Sequence, residues 1–315
     1  MKDYNDKMRF ICKFTFAVWI ILALILYACS DNSKKKSGTL HIVCTIGMIT
    51  DAVKVISGDS VEVTGLMGPG VDPHLYKATK GDIDLLDNAD LILYNGLNLE
   101  AKMTEIFEKM RMIKPTVAVA EGIDTSLLRH PLEFQGHPDP HVWFDVSMWK
   151  TAVQAVGEAL IKNDSANRLV YETNLAAYID SLDNLNEWVK LEMQTIPESF
   201  RVLVTAHDAF GYFGRVYQIE VKGLQGISTV TEAGLYDVTH MIDMLVERKI
   251  KAVFVETSVP RKAIDAVVEG CHAKGHNIQI GGLLFSDAMG NDGTPEGTYI
   301  GMVRYNVNTI VKALR

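Results

Sequence analysis

Short apolar runs alternate with longer amphipathic segments along most of the chain, and this alternation restricts the possible folds more than any other feature. The runs are Leu40–Cys44, Val61–Leu66, Leu91–Tyr94 and Val117–Val119, then Val202–Val204, Val221–Leu224, Ala252–Val255 and Ile278–Ile280. Nearly continuous apolar runs separated by helix-length segments are typical of parallel strands covered by helices on both faces. The sequence therefore predicts an α/β fold.

A different pattern separates the first four runs from the last four. From Asn167 to about Gln194 the chain contains no Gly or Pro and repeats apolar residues at helical spacing, until Pro197 ends the pattern. A helix of this length spans about 40 Å, enough to run along a two-lobed body. We predict two lobes, each a mostly parallel sheet flanked by helices, joined by a single long helix. The alternative is a helical hairpin folded onto one lobe.

The length of the chain agrees with this division. With 315 residues, of which 48% are apolar, the chain can bury a core in each of two lobes. We place the N-terminal lobe at residues 39–165, the linking helix at 166–196 and the C-terminal lobe at 197–315.

The N-terminal residues predict the cellular compartment in which the protein acts. Four Lys or Arg residues precede an apolar run from Phe14 to Ala28, which is interrupted only by Thr15 and is followed by Cys29. The run is short for a membrane-spanning helix and fits a signal peptide over residues 1–28, with Cys29 as the lipidation site. Residues 29–38 then form a polar tether, and the body is extracytoplasmic and anchored to a membrane by lipid. An uncleaved anchor and a plain secreted form are the alternatives.

Charge and cysteine content exclude some classes of function. The formal net charge is −8, so no basic surplus is available to bind nucleic acid. Beyond the N-terminal region only Cys44 and Cys271 remain, in opposite halves of the chain. A disulfide between them is possible but not favoured, and no pair of closely spaced cysteines predicts a thiolate metal site.

Four side chains that can bind metal follow strands in corresponding places. His74 and His141 each end an Asp-Pro-His tripeptide, His207 follows the first strand of the second lobe, and Asp287 follows the last strand. Open α/β sheets bind ligands at the carboxyl ends of their strands. Because these four residues are far apart in sequence, they fit a metal site closed between two lobes. They do not fit a local site formed by one short segment, as in a zinc finger. We expect this site to lie peripheral to both hydrophobic cores.

The chemistry of this set favours a divalent transition metal. Three imidazoles and one carboxylate suit Zn²⁺ in a tetrahedron, and they suit Mn²⁺ or Fe²⁺ if Asp287 binds through both oxygens. Each residue taken alone has a simpler interpretation, since single histidines are usually structural and Asp287 could cap the following segment. The repeated Asp-Pro-His tripeptide favours the hypothesis that all four residues bind one metal ion. Asp72 and Asp139, two residues before the histidines, are candidate turn-formers or hydrogen-bond acceptors.

From about Leu40 to Arg315 the chain resembles the cluster A-I family of solute-binding lipoproteins of manganese and zinc ABC importers, in particular the treponemal TroA type. The segments that carry the resemblance are Ile46–Ile49, Gly65–His74, Leu91–Leu97, Asp139–Asp145, Thr205–Phe213 and Leu284–Gly290. The resemblance implies that His74, His141, His207 and Asp287 bind one Zn²⁺ or Mn²⁺ per chain. It also implies two lobes joined by one long helix, and an ABC permease with its ATPase as partners. Such a protein is not an enzyme.

The resemblance also bears on the metal. Manganese-specific relatives commonly have a glutamate as third ligand, where this chain has His207, which favours zinc or dual use. Zinc-specific relatives often carry a long His-rich loop, but the corresponding stretch from Glu121 to Pro138 holds only His130 and His137. The sequence therefore lies between the two patterns.

Two other classes of function remain as alternatives. A metal-dependent hydrolase needs an open coordination position and a general base, for which Glu256 and Asp208 are the nearest candidates. Both are more simply interpreted as structural groups or as partners of the ligands. An adhesin would need only surface exposure and has no motif of its own in this sequence.

Overall fold

The computed structural model describes residues 39–134 and 136–315. The predicted signal peptide over residues 1–28, the lipidation site at Cys29 and the tether lie outside these residues. Residues Leu40–Arg315 form one compact unit. Within the described residues, no helix is both long and apolar enough to cross a membrane.

The first half of the body contains one parallel sheet of four strands in the order β2-β1-β3-β4. Its strands are β1 (Leu40–Cys44), β2 (Val61–Gly65), β3 (Leu91–Tyr94) and β4 (Thr116–Ala118). Every residue of β3 is buried, as expected for a strand that is covered on both faces. The four predicted runs therefore correspond to four strands, with small differences at their ends.

Four helices accompany this sheet: α1 (Gly47–Ser57), α2 (Lys80–Asn88), α3 (Thr104–Arg111) and α4 (Val146–Asn163). Helix α4 begins shortly after His141. The Asp145 side chain accepts hydrogen bonds from the backbone N–H groups of Ser147 and Met148 at 2.9 and 3.2 Å, which satisfies two free donors at the start of the helix. This cap fixes where the chain leaves the His141 segment.

The predicted linking segment is a single helix, α5, which runs over Arg168–Gln194. Its buried apolar side chains are three, four or seven residues apart and therefore form one stripe: Tyr171, Tyr178, Leu182, Leu185, Val189 and Met193. This stripe packs against α1, α4 and the C-terminal helix. The helical-hairpin alternative is therefore wrong.

The second half contains β5 (Val202–His207), β6 (Glu220–Gln225), β7 (Ala252–Glu256) and β8 (Gln279–Leu284). Strand β5 pairs in parallel with β6, and β7 pairs in parallel with β8, while β5 lies beside β7. Two hydrogen-bonded ladders thus replace one continuous sheet. The predicted run Ile278–Ile280 extends to Leu284, because a register irregularity opposite Val253 and Phe254 lets the pairing continue past Gly281 and Gly282.

The helices of this half are α6 (Gly211–Tyr217), α7 (Leu235–Glu247), α8 (Lys262–Ala273) and α9 (Tyr299–Leu314). A small hydrophobic cluster joins β5 and β7 to α7 and α8. A larger cluster extends from the first sheet through α5 and includes the buried residues of α9. The C-terminal helix therefore shares a core with the first half of the chain. The boundaries placed at residues 39–165, 166–196 and 197–315 stay predictions.

Candidate metal centre

The structure brings the four predicted side chains together. His74 lies in the loop after β2, His141 directly precedes a short 3₁₀ turn at Val142–Phe144, His207 is the last residue of β5, and Asp287 lies in the loop after β8. Each residue is at most 2% exposed. The loops that carry the four side chains fold inward and shield them from solvent. That the site lies peripheral to both hydrophobic cores stays a prediction.

The distances between these groups suit one small ion. The Nε2 atom of His141 lies 3.2 Å from Nε2 of His74 and 3.3 Å from Oδ1 of Asp287. Asp287 Oδ2 lies 3.2 Å from His207 Nε2 and 3.9 Å from His74 Nε2. Two ligands of a tetrahedral zinc ion are about 3.3 Å apart when each bond is about 2.0–2.1 Å. The four residues offer one ligand atom each within 4.8 Å of one another.

Both Asp-Pro-His tripeptides hold their histidine in the same way. The Asp72 carboxylate accepts a hydrogen bond from the backbone N–H of His74 at 2.8 Å, and Asp139 accepts one from His141 at 3.0 Å. An aspartate that accepts a backbone N–H two residues later forms an Asx turn. The expectation that the two aspartates form turns is thus confirmed, and each turn directs a histidine inward.

Buried carboxylates also orient two of the imidazole rings. His141 Nδ1 lies 2.8 Å from Asp139 Oδ1, and His207 Nδ1 lies 2.6 Å from Glu256 Oε2. The backbone N–H of His207 donates to the other oxygen of Glu256 at 2.9 Å. Carboxylates in this position keep the proton on Nδ1 and leave Nε2 free to bind a metal. Glu256 is therefore a partner of His207 and not a general base.

The surroundings of the three histidines shift their pKa values in different directions. Burial lowers the pKa of His74 to about 3. Burial also lowers the pKa of His141, but its hydrogen bond to Asp139 and the nearby carboxylate of Asp287 outweigh this effect and raise the pKa to about 9. For His207 the same competition, with Glu256 and Asp287 as partners, raises the pKa well above its usual value. Without metal, these pKa shifts favour the protonated form of His141 and of His207 and the neutral form of His74.

Asp287 supplies the negative charge among the four candidate ligands. Burial raises the pKa of this carboxyl group, but the positive charges of the nearby His207 and His141 rings outweigh burial and hold the pKa well below its usual value. Neither carboxylate oxygen satisfies the geometry of a hydrogen bond within the described part of the protein. An anionic carboxylate whose two oxygens are buried in this way is suited to a cation.

Several residues that the sequence did not single out support the centre. Arg129 Nη1 donates to Asp139 Oδ2 at 2.6 Å, and the hydroxyl of Thr229 donates to Asp72 Oδ2 at 2.5 Å. The Tyr212 hydroxyl donates to the carbonyl of Asp139 at 2.8 Å. Thr229 and Tyr212 belong to the second half of the chain, so both tripeptides are held from across the molecule. Of these residues only Tyr212 gave a signal in the sequence, because it lies in the segment Thr205–Phe213 that carries the family resemblance.

The remaining cysteines and histidines take no part in the centre. Cys44 and Cys271 are free and buried. His272 and His276 contact the backbone carbonyls of Ile278 and Ile250 through Nε2, at 3.0 and 2.6 Å. Among residues 39–134 and 136–315, the only group that could hold a metal ion is the one formed by the four predicted side chains.

Catalytic zinc sites combine three protein ligands with a water molecule, whereas this arrangement offers four buried side-chain donors and so suits the holding of an ion better than hydrolysis. Two α/β halves connected by a long helix around a closed centre of three histidines and one aspartate define a metal-binding protein of the solute-binding class. The chain belongs to the ZnuA family, described as "Zinc-uptake complex component A periplasmic", whose family model matches residues 42–313.

Two relatives and one solved structure illustrate this membership. The "Zinc-binding protein TroA" of Treponema pallidum (strain Nichols) is 51% identical over 91% of this chain and 93% of its own length. The "Manganese-binding lipoprotein MntA" of Bacillus subtilis (strain 168) is 48% identical over 94% of this chain and 99% of its own. The solved structure of the periplasmic zinc-binding protein TroA from Treponema pallidum superimposes with a TM-score of 0.86 at 52% identity, covering 88% of this chain and 99% of that one. The predicted fold and family are confirmed. The hydrolase alternative finds no support, because the family and these relatives are solute-binding proteins and not enzymes.

Proposed function

We propose that this protein captures one divalent transition metal ion, zinc or manganese, outside the cytoplasmic membrane and delivers it to an ABC importer. The observation that carries the proposal is the convergence of His74, His141, His207 and Asp287, whose ligand atoms lie within 4.8 Å of one another in a buried setting. We propose these four residues as the metal ligands. Relatives named for zinc and for manganese binding support the two metals.

We further propose the cellular setting in which this occurs. Residues 1–28 would be removed as a signal peptide, Cys29 would carry lipid, and the polar tether would hold the body near the permease and its ATPase. The lipoprotein name of the Bacillus subtilis relative supports this arrangement. Mass spectrometry of the membrane-associated protein tests it, because lipidation removes residues 1–28 and adds acyl mass at Cys29.

Zinc is the metal that the ligand set favours. Three imidazoles and one carboxylate bind Zn²⁺ more strongly than Mn²⁺, which prefers more oxygen ligands. Elemental analysis of protein purified without added metal, followed by competition between Zn²⁺ and Mn²⁺, tests the function directly. About one ion per chain is expected, with zinc displacing manganese. Protein that takes up neither ion would contradict the proposal.

Metal binding is expected to release about two protons per ion at pH 7. His141, whose pKa is raised to about 9, and His207, whose pKa is also raised, must lose the proton on Nε2, whereas His74 carries none. Apparent affinity should therefore fall progressively as the pH decreases below about 9, most steeply by about two log units per pH unit. Calorimetry at pH 7 in two buffers of different ionisation enthalpy counts the protons. Binding without proton release would contradict histidine ligation.

Changing Glu256 to Gln is expected to weaken zinc binding about 10- to 100-fold. The amide can still accept from the backbone N–H of His207, but its NH₂ group would face Nδ1 and place the ring proton on Nε2, where the metal binds. The exposed Glu247→Gln change is the matched control. Competition titrations against a chromophoric chelator measure both variants, and equal affinity in the two would show that the Glu256 charge does not matter.

A further inference from the structure

The side chain of Asn95 connects the first sheet to the segment that carries His141. Asn95 directly follows β3 and is fully buried. Its Nδ2 atom donates a hydrogen bond of 3.1 Å to the carbonyl of Pro140, the residue before His141, and one of 3.0 Å to the carbonyl of Gly96. Because both partners are carbonyl oxygens, only the NH₂ side of the amide can face them, which fixes the orientation of the Asn95 side chain.

This contact holds the peptide group through which the chain enters His141. The carbonyl oxygen of this group, between Pro140 and His141, accepts from Asn95, and its N–H donates to Asp139 Oδ1 at 3.0 Å. A peptide group is planar, so fixing both of its polar atoms fixes the orientation of the plane. That plane ends at the Cα atom of His141, from which the imidazole projects. The position of the ring therefore depends on Asn95 as well as on Asp139.

Asn95 is itself held by a buried carboxyl group. Glu100, which is 3% exposed, accepts hydrogen bonds from the backbone N–H groups of Asn95 at 2.8 Å and of Gly96 at 3.2 Å. Its Oε1 atom also accepts from the hydroxyl of Thr45, the residue after β1, at 2.7 Å. Breaking these bonds would leave buried polar groups unsatisfied, so the ends of β1 and β3 form a stiff support for the Asn95 amide.

We propose that Asn95 is a positioning residue for metal binding: by holding the Pro140 carbonyl, it places the His141 imidazole at the distance from the other candidate ligands that one ion requires. Nε2 of His141 lies 3.2 Å from Nε2 of His74 and 3.3 Å from Oδ1 of Asp287, and ligands must be held within about 0.5 Å of such a geometry. Asn95 acts through His141 and does not contact the ion. The inference rests on the proposed function, since it requires His141 to bind the ion.

The test compares Asn95→Ala with Asn174→Ala. The amide of Asn174 also donates to a backbone carbonyl, that of Ile56 at 3.0 Å, but this bond joins α5 to the end of α1, and neither helix carries a candidate ligand. In Asn95→Ala the affinity for Zn²⁺, measured by competition against a chromophoric chelator, is expected to fall about tenfold or more, as for other side chains that orient metal ligands. Asn174→Ala should keep the affinity of the unmodified protein, and circular dichroism verifies the fold of both variants.

A double-mutant cycle separates the positioning of His141 from a general structural role of Asn95. In the His141→Ala background, Asn95→Ala has no ring left to displace, so its additional loss of Zn²⁺ affinity should disappear. In the His74→Ala background, His141 still binds the ion, and Asn95→Ala should cause its full loss of about tenfold or more. A merely structural role would give equal additional losses in both backgrounds. A weaker chelator brings the affinities of these variants into the measurable range.

Glu100→Gln takes the place of Asn95→Ala in the same cycle if Asn95→Ala does not fold. Gln has the shape of Glu, but its NH₂ group would face one of the donors from which Glu100 now accepts. This variant should lose Zn²⁺ affinity with the same dependence on His141.

The outcomes separate this inference from the proposed function. An unmodified Zn²⁺ affinity in Asn95→Ala, or in Glu100→Gln if the first variant does not fold, would overturn the positioning role and leave the proposed function intact. An equal loss in Asn174→Ala, or equal additional losses in the His141→Ala and His74→Ala backgrounds, would overturn it as well. An unmodified protein that binds neither Zn²⁺ nor Mn²⁺ would overturn the proposed function, and the inference with it.

Discussion

Changing Asp287 to Ala is expected to weaken zinc binding about a thousandfold while the body stays folded. Asp287 supplies the only carboxylate among the four candidate ligands, and its oxygens lie 3.2–3.9 Å from the Nε2 atoms of all three histidines. Removing one partner of a buried charged pair costs about 3–5 kcal/mol, which corresponds to a factor of about 10² to 10³ or more in affinity. The ion would also enter a centre that carries only imidazoles and positive charge.

The metal-free form of this variant should still fold, because the substitution leaves every member of the two hydrophobic clusters in place. Without this carboxylate the pKa of His141 and of His207 decreases, so both rings become easier to bury as neutral groups. Competition against a chromophoric chelator measures affinity, and circular dichroism checks the fold. Asp292→Asn is the matched control, since Asp292 is exposed and its carboxylate pairs with Lys54 at the surface at 3.4 Å. Wild-type affinity in Asp287→Ala would remove Asp287 from the ligand set.

Changing Gly223 to Ala is expected to disturb both stability and metal binding. A Cβ atom at this position would lie 2.4 Å from the backbone N of Asp208 and 2.7 Å from the carbonyl carbon of His207. The backbone of β5 cannot move aside, because it pairs with β6 and lies beside β7. Forcing an atom into such a contact costs about 1–3 kcal/mol and lowers the Tm by several degrees.

In this variant, the backbone that the new Cβ atom would displace belongs to a candidate ligand. Ligands must be held within about 0.5 Å of their working geometry, so we expect zinc affinity to fall at least about tenfold through the movement of His207. Gly226→Ala is the matched control, because a Cβ atom there has no neighbour within 4 Å. Thermal unfolding without metal and chelator competition measure the two effects. If both variants behave like the unmodified protein, β5 and β6 are more adaptable than their contacts indicate.

The sequence predicted the features that depend on local pattern. The strand runs, the single helix over Arg168–Gln194 and the convergence of the four candidate ligands all follow from periodicity, from strand ends and from the repeated tripeptide. The family resemblance added that the four residues bind one Zn²⁺ or Mn²⁺ ion per chain. Such patterns can be predicted from the sequence because each is formed by neighbouring residues of one segment.

The contacts that stabilise the centre could not be predicted in the same way. The Trp143 indole meets Ser286 across 143 residues, and Thr229 meets Asp72 across 157. No periodicity relates such distant positions, and a Trp or Thr within an apolar or loop segment has many ordinary roles. The two separate ladders of the second half were missed for a related reason, since strand pairing depends on register and not on composition.

The burial of the four donor side chains also has a kinetic consequence. Because these residues are at most 2% exposed, neither water nor a competing chelator can reach a held ion until part of the body opens. The dissociation rate is then governed by how often such openings occur, and not by the basicity of the donors. An ion would therefore have a long residence time even among strong competitors, and a membrane partner that binds the open form would shorten it at the point of delivery.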